Sequence, residues 1–340
     1  MNKKPCISVI VPIFNMDAYL RTCLDSILGQ TLDNIEVVCI NDGSTDYTQS
    51  ILEEYSWNDK RVKVITQENK GVAVARNKGI EIATGEFLFF LDPDDWLPDE
   101  KVFEDLYKTA RENNVLICGG EFREVLNGKI IDKWEGNLSK YTFPKEGIML
   151  YSDYQFDYGW VRFIYNRDFL LEKRLNIPSL TFFEDPVFFV RIMHEAEKFY
   201  AMKRCTYCYR TGHKKLELSY EKTNDLVKGL CLNILFAKQH QYKDLLALEV
   251  DRIEKDYAEF IAKYLDDKRS TDMRDNLEKI NRIIFQDNNK VEYQLLKRVI
   301  KNREYSLYMK DEEFYKSTTW KVGNAILFIP KFIKRILKGE

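Results

Sequence analysis

Four short apolar runs, rich in β-branched and aromatic residues, recur within the first hundred positions. They are "ISVIVPIF" (7–14), the start of "IEVVCINDGSTD" (35–46), "VKVIT" (62–66) and "FLFFL" (87–91). Runs of this kind suit strands buried on both faces. The segments between them have helical spacing. "MDAYLRTCLDSILGQ" (16–30) puts Leu20, Cys23, Leu24, Ile27 and Leu28 on one face and stops at Gly29. A second helix starts after Ser44-Thr45-Asp46, and "GVAVARNKGIEIAT" (71–84) ends at Gly85. Strand and helix alternating at this spacing require crossovers, so a parallel α/β sheet flanked by helices is expected.

Ligands bind outside the carboxyl ends of such strands. Each of the four strands ends there in a polar cluster: Phe14-Asn15, Asn41-Asp42-Gly43-Ser44, Asn69-Lys70-Gly71 and Asp92-Pro93-Asp94-Asp95. One cluster alone would be a turn. Four on one rim predict a site. Asp92 and Asp94 set two like charges close together, and a divalent cation removes the cost of their repulsion. Mg²⁺ usually takes one or two carboxylates and completes its shell with water and phosphate oxygens. The same Asp-Pro-Asp-Asp run also reads as an ordinary turn into a helix, with Asp95 or Asp99 as cap.

Beyond residue 99 a helix (99–113) precedes "VLICGGEFREV" and an "NGK" hairpin signal at 127–129. After about 220 the apolar spacing is helical throughout. The expected organisation is a catalytic domain over 1–218, a helical extension over 219–315 and a basic amphipathic helix over 316–340. In that tail, Val322, Ile326, Ile329, Ile333 and Ile336 share a stripe flanked by Lys331, Lys334, Arg335 and Lys338. From residue 320 on, the side chains carry +4, leaving about -6 for the rest of a chain whose net charge is -2. A stripe of this type suits an interfacial membrane helix, or one docked on the protein's own core.

The near-neutral net charge argues against a protein that coats nucleic acid. Seven scattered cysteines suit free thiols in a reducing compartment. Cys205 and Cys208 could be half a zinc site; with no second pair, a packed strand is expected. No secretory pattern opens the chain, and no run approaches the ~20 apolar residues that span a bilayer. The expected location is cytoplasmic, peripheral on the inner face of the cell membrane.

The ordered motifs "VPIFN", "INDGSTD", "NKGVAVARNKGI" and "FLFFLDPDDW" resemble the family 2 glycosyltransferases, which have the GT-A nucleotide-diphospho-sugar transferase fold. The resemblance is close over about 1–100, with weaker landmarks to about 215. It implies that Pro12, Phe14 and Asn15 line a base and ribose pocket and that Asp42 accepts a hydrogen bond from a uracil ring. Many relatives have two aspartates at that turn; here Asn41 precedes Asp42. Asn69, Lys70, Gly71, Arg76 and Asn77 would face ribose, diphosphate and sugar, aided by a helix N-terminus at 71. For Arg76 and Asn77 a helix-surface place is the alternative. Asp92 and Asp94 would hold Mn²⁺ or Mg²⁺ on the diphosphate, with Pro93 between them bordering the nucleotide sugar and Asp95 as turn or sugar contact.

The same resemblance makes Asp185, in "LTFFEDPVFFVRI" (180–192), the catalytic base, with Glu184 binding the acceptor or supporting the base. A carboxylate beside aromatic surface can have its pKa raised toward a useful value, though an acidic helix cap would look similar. In "GWVRFIYNRDFLLE" (159–172), Trp160 would stack on the acceptor sugar or pack in the core, and Arg162 replaces the family's lysine. "YRTGHKKLELS" (209–219) resembles the segment that closes over the diphosphate. Its Arg210, His213, Lys214 and Lys215 supply charge, with His213 a candidate third metal ligand.

The implied reaction is inverting sugar transfer from a nucleotide-diphospho-sugar, UDP-linked in the first instance, to an acceptor hydroxyl. The cationic tail points to a polyprenyl-linked oligosaccharide acceptor, as in bacterial surface-polysaccharide assembly. Other classes fit less well. A haloacid-type phosphatase needs its Asp-x-Asp on the first strand, and a nucleotidyltransferase of related fold needs a Gly-rich basic first loop. Walker and Gly-x-Gly-x-x-Gly loops are missing. A non-catalytic sugar-binding membrane scaffold is the remaining alternative.

Overall fold

The computed structural model describes residues 3–131, 139–213, 216–265 and 267–285. The four apolar runs form β1 (Ile7–Ile13), β2 (Ile35–Asn41), β3 (Val62–Thr66) and β4 (Phe87–Phe90). Between and after them come α1 (Asp17–Leu28), α2 (Thr48–Asn58), α3 (Val72–Ile82) and α4 (Val102–Glu112). Every residue of β1, β2 and β4 is buried, which explains why these strands are apolar but for the hydrogen-bonded Ser8, Glu36 and Asn41. Each Val, Ile or Phe buried there contributes roughly 1.5–3 kcal/mol.

The later strands are β5 (Ile117–Leu126), β6 (Lys129–Ile130), β7 (Gly147–Leu150), β8 (Phe163–Asn166) and β9 (Lys198–Thr211). Among the described residues they join one nine-stranded sheet in the order β3-β2-β1-β4-β8-β5-β9-β7, with β6 hairpinned on β5. That hairpin turns at Asn127-Gly128, where the "NGK" signal lies. The first four strands are parallel, whereas β8 runs antiparallel to both β4 and β5. The sheet therefore changes direction beside β4, and the Asp92–Asp95 turn leaves the sheet at that point. Cys205 and Cys208 lie within β9.

Short helices α5 (Tyr151–Tyr154) and α6 (Arg167–Glu172) border the second half of the sheet, and α7 (Glu184–Ala196) packs on it. The chain then turns helical, with α8 (Tyr220–Gln239), α9 (Lys243–Asp251), α10 (Ala258–Tyr264) and α11 (Thr271–Phe285). A π-helical turn, Arg252–Asp256, joins α9 to α10. These helices enclose a second apolar core around Leu226, Leu230, Ile234, Ile261, Met273 and Leu277. Arg252 ties it to the first, donating to Asp157 Oδ1 at 2.6 Å and to Tyr141 Oη at 3.0 Å. The expected tail helix at 316–340, and the part of the extension from 286 on, lie outside the described residues. Among those described, no helix is long and apolar enough to cross a membrane.

Candidate active site

Register brings the strand ends level. Ile13 of β1 pairs with Asn41 of β2, and Asn41 pairs with Thr66 of β3. Over this rim lies a cavity of about 260 Å³, lined by Pro12, Phe14, Asp42, Arg76, Asp92 and Asp94 among others. Phe14 is 42% exposed, so an aromatic face is available to a ligand.

The turns around the cavity are tied by their own polar side chains. Asn15 Oδ1 accepts from Thr45 N at 2.8 Å, and Asn15 N donates to Ser44 Oγ at 3.0 Å. Asn41 Oδ1 accepts from Ser44 N, while its Nδ2 donates to Gln49 Oε1 at 2.7 Å. Gln49 Oε1 also accepts from Thr66 Oγ1, and Gln49 Nε2 donates to Glu53 Oε1 at 2.8 Å. The amide at 41 thus uses both a donor and an acceptor, which an aspartate could not. Asp42 is buried, and its carboxylate accepts from Gln67 Nε2, Lys70 N and Gly71 N at 2.8–2.9 Å. It therefore clamps the Asn69–Gly71 rim as well as lining the cavity, a structural duty absent from the base-reading role expected of it. Gly71 has φ 89° and ψ 160°, a conformation essentially confined to glycine. Asn69 and Lys70 are exposed beside it.

Arg76 connects the two sides of the site. It is buried, with Nη2 donating to Asp92 Oδ1 at 2.9 Å and Nη1 to Glu184 Oε1 at 2.8 Å. Its guanidinium lies 4.8 Å from the Trp160 ring centre. Arg76 lines the cavity, as a donor contact requires, and at the same time holds two carboxylates that are 92 residues apart in the chain; its burial rules out the helix-surface place. Only its buried Nε lacks a protein partner.

Trp160 needs a correction. It is 2% exposed and packs against Phe90 at 4.6 Å and Phe188 at 5.8 Å, so it has no free face for an acceptor sugar. Arg162 is also internal, bonded to the Tyr141 carbonyl and to Tyr154 Oη and stacked on Phe143. Asn77 is corrected too. Its amide donates to Ile177 O and accepts from Ile177 N, clamping the loop before α7 rather than facing a ligand.

Asp185 and Glu184 open α7. Burial first, then the neighbouring Glu184 charge, push Asp185 up to about 8, although Arg76 pulls in the opposite direction. A carboxyl at that level can exchange a proton near neutral pH. The Asp92–Asp95 turn is held from the other side by β9. Asp95 is buried and accepts from Tyr207 Oη and Arg210 N, both at 2.7 Å. Burial, with the charges of Asp92 and Asp94, pushes its carboxyl well above the usual range. Asp95 is thus a fastening of the turn; a sugar contact, the other role expected, is not open to it. Arg210 Nε donates to Asp94 O at 2.7 Å, and the guanidinium stacks on Trp96 and Tyr19. His213 Nε2 lies 3.0 Å from Asp94 Oδ2. Lys214 and Lys215 lie outside the described residues.

Among the described residues no three His, Cys, Asp or Glu side chains form a ready cage for a metal. Asp92 and Asp94 nonetheless present hard oxygen donors on the cavity wall. That donor set fits a cation whose remaining ligands come from water and a diphosphate.

Known proteins bear on this geometry. Residues 8–174 match the family model for glycosyl transferase family 2. The chain is 36% identical to EpsH of Bacillus subtilis over 64% of either chain, so the alignment spans just under two thirds of that relative. In fold it is similar to S. aureus TarS residues 1–349 in complex with UDP, with TM-score 0.69, 18% identity and coverage of 92% and 93% of the two chains. It is also similar to the mannosyltransferase PcManGT from Pyrobaculum calidifontis in complex with GDP-Man and Mn2+, with TM-score 0.54, 14% identity and coverage of 94% and 83%. The strand-end motifs, the sheet that reverses beside β4 and the family match agree: residues 8–174, just under half of the chain, form a family 2 glycosyltransferase domain, and the fold is GT-A.

Proposed function

We propose that the protein transfers a sugar from a nucleotide-diphospho-sugar, UDP-linked in the first instance, to a saccharide hydroxyl, with inversion. The observation that carries this reading is the Asp92–Arg76–Glu184 chain. It fixes a carboxylate turn suited to a metal diphosphate beside a carboxyl, Asp185, whose proton affinity is raised. The UDP in the TarS structure and the GDP-Man and Mn2+ in the PcManGT structure support a nucleotide-sugar donor.

In this reading Phe14 stacks on the base and the Asp42-clamped rim borders the ribose and phosphates. Asp92 and Asp94 would hold Mn²⁺ or Mg²⁺, which would neutralise charge on the leaving diphosphate when bound. The Arg210 guanidinium and the N-terminus of α3 add fixed positive charge. Asp185 takes the proton of the acceptor hydroxyl. The acceptor oxygen forms its bond to the anomeric carbon as the bond from that carbon to the diphosphate oxygen breaks, and the nucleotide diphosphate leaves with the electron pair. His213, already at Asp94, is the candidate for a further metal contact.

The division into 1–218, 219–315 and 316–340 is part of the proposal. The basic, apolar-striped sequence of 316–340 supports a place at the inner membrane surface, where a polyprenyl-linked oligosaccharide would be the acceptor. A panel of nucleotide sugars with Mn²⁺ or Mg²⁺ tests the core claim through nucleotide release. Metal-dependent release from at least one donor is expected, and Asp94→Ala should lose metal-dependent donor binding. Absence of both binding and turnover with every UDP- and GDP-sugar tested overturns the reading.

A further inference from the structure

Phe183, the residue immediately before Glu184 and Asp185, has φ 69° and ψ 18°. A bulky aromatic residue in the left-handed region is an outlier that its surroundings must hold in place. Those surroundings come from the helices that follow the sheet. Gly229, inside α8, lies against Phe183, and a Cβ there would sit 2.8 Å from Phe183 Cδ1 and 3.3 Å from its carbonyl oxygen. One helical turn earlier, Asp225 Oδ2 accepts from both Thr181 N and Thr181 Oγ1 at 2.8 Å. The Tyr257 ring stands edge-on to Phe183 at 6.2 Å and to Phe182 at 6.1 Å. Arg252, fixed on Asp157, covers Phe183 at 5.9 Å. Leu180, Phe183 and Val187 belong to the apolar core of the helices, whereas Phe188, Phe189 and Ile192 belong to that of the sheet. The first turn of α7 is thus shared between the two cores.

We propose that α8 braces the catalytic base, with Gly229 and Asp225 as positioning residues. They hold Phe183 in its left-handed conformation, so that α7 starts in the direction that sets Asp185 beside Glu184, Arg76 and Asp92. This rests on the transferase reading above. It gives the helical region a part in the reaction itself, through a residue two positions before the base. Helix propensity favours alanine over glycine at an interior position such as 229. Any loss in Gly229→Ala therefore reports the contact with Phe183 and not a weaker helix.

The test uses the full chain with Gly229→Ala, Asp225→Ala and the conservative Asp225→Asn. Three quantities are read: transfer kcat, UDP binding in the presence of Mn²⁺, and amide hydrogen exchange over residues 182–187. Displacement of a reacting group by about 1 Å can cost roughly 100-fold in rate, so kcat should fall about 10- to 100-fold in Gly229→Ala and less in Asp225→Ala. UDP affinity should stay within about twofold of the parent value, on the same argument that the donor side is untouched. Exchange over 182–187 should quicken, and Asp225→Asn, which keeps one side-chain acceptor, should recover most of the rate. Parent-like kcat in Gly229→Ala, or a loss of kcat matched by an equal loss of UDP affinity, overturns the brace. If the unaltered chain turns over no donor, the transferase reading fails separately. The exchange measurement still decides the brace: faster exchange supports it and unchanged exchange overturns it.

Discussion

On the side of the cavity proposed to take the donor, Asn15, Asn41 and Asp42 fix their turns through bonds to Thr45, Ser44 and Gly71, no more than 30 residues away in the chain. On the base side, Glu184 is held by Arg76 from 108 residues away, and Phe183 is enclosed by Gly229, Arg252 and Tyr257. The part of the rim fixed by Asn15, Asn41 and Asp42 is therefore complete once β1–β3 and their crossovers form, whereas the Asp92–Asp95 turn also needs β9. The base is in place only after the sheet, α7 and the helical region have packed together. Substitutions on the two sides should accordingly fail in different ways: donor-side changes through binding, base-side changes through rate.

The largest separation is expected from Asp185→Asn. Loss of a general base lowers transfer by about 10²–10⁴-fold, while UDP binding stays close to the parent value. A parallel loss of binding, seen by calorimetry, would erase the distinction between the sides. Next in size is Arg76→Met, which removes the strut joining them. Breaking a buried pair by removing one partner costs about 3–5 kcal/mol, and because Asp92 is partly exposed the lower end applies. Chemical denaturation should show that loss. Retained stability would mean that the two sides stand independently.

The smallest effect is that of pH. Asp185 is raised to about 8, so its base form grows as pH climbs toward that value. With saturating donor and acceptor, the single-turnover transfer rate should rise about tenfold per unit on the acid side and flatten above about 8. A flat profile from pH 6 to 8 would remove Asp185 from the base role. The same shift has a stability consequence. The folded pKa lies above the usual carboxyl value, so Asp185 imposes no penalty below about 4 and a growing one as pH rises toward 8.

The side proposed to take the donor was largely legible in the sequence, because short β-rich, mostly apolar runs fix buried strands and most of the polar turns that end them are local. β1–β4, α1–α3 and the cavity-lining Pro12, Phe14, Asp42, Asp92 and Asp94 follow from that logic. What failed depended on distant neighbours. Asn77 reads as a ligand contact until Ile177 arrives, and Trp160 reads as a sugar platform until Phe90 and Phe188 cover it. Asp95 reads as a turn or sugar contact, and only β9, more than 110 residues on, shows what fastens it. The brace on α7 was not seen at all. Gly229 inside an otherwise good helical pattern was the available signal, since an interior glycine often marks close backbone approach.

The amide at position 41 has a consequence for the order in which mutations can accumulate. The chain from Asn41 to Gln49 to Glu53 is directional: each amide nitrogen donates to the next acceptor. An aspartate at 41 would force Gln49 to turn its nitrogen around. Its oxygen would then face the Glu53 carboxylate, and the Thr66 hydroxyl would lose its acceptor. Asn41→Asp should therefore be poorly tolerated alone and better tolerated once Glu53→Gln is present. A double-mutant cycle should register this as a coupling of about 0.5–3 kcal/mol, the range for residues in one hydrogen-bond network. Position 53, on the outer face of α2, thus controls whether a second negative charge can enter the turn after β2.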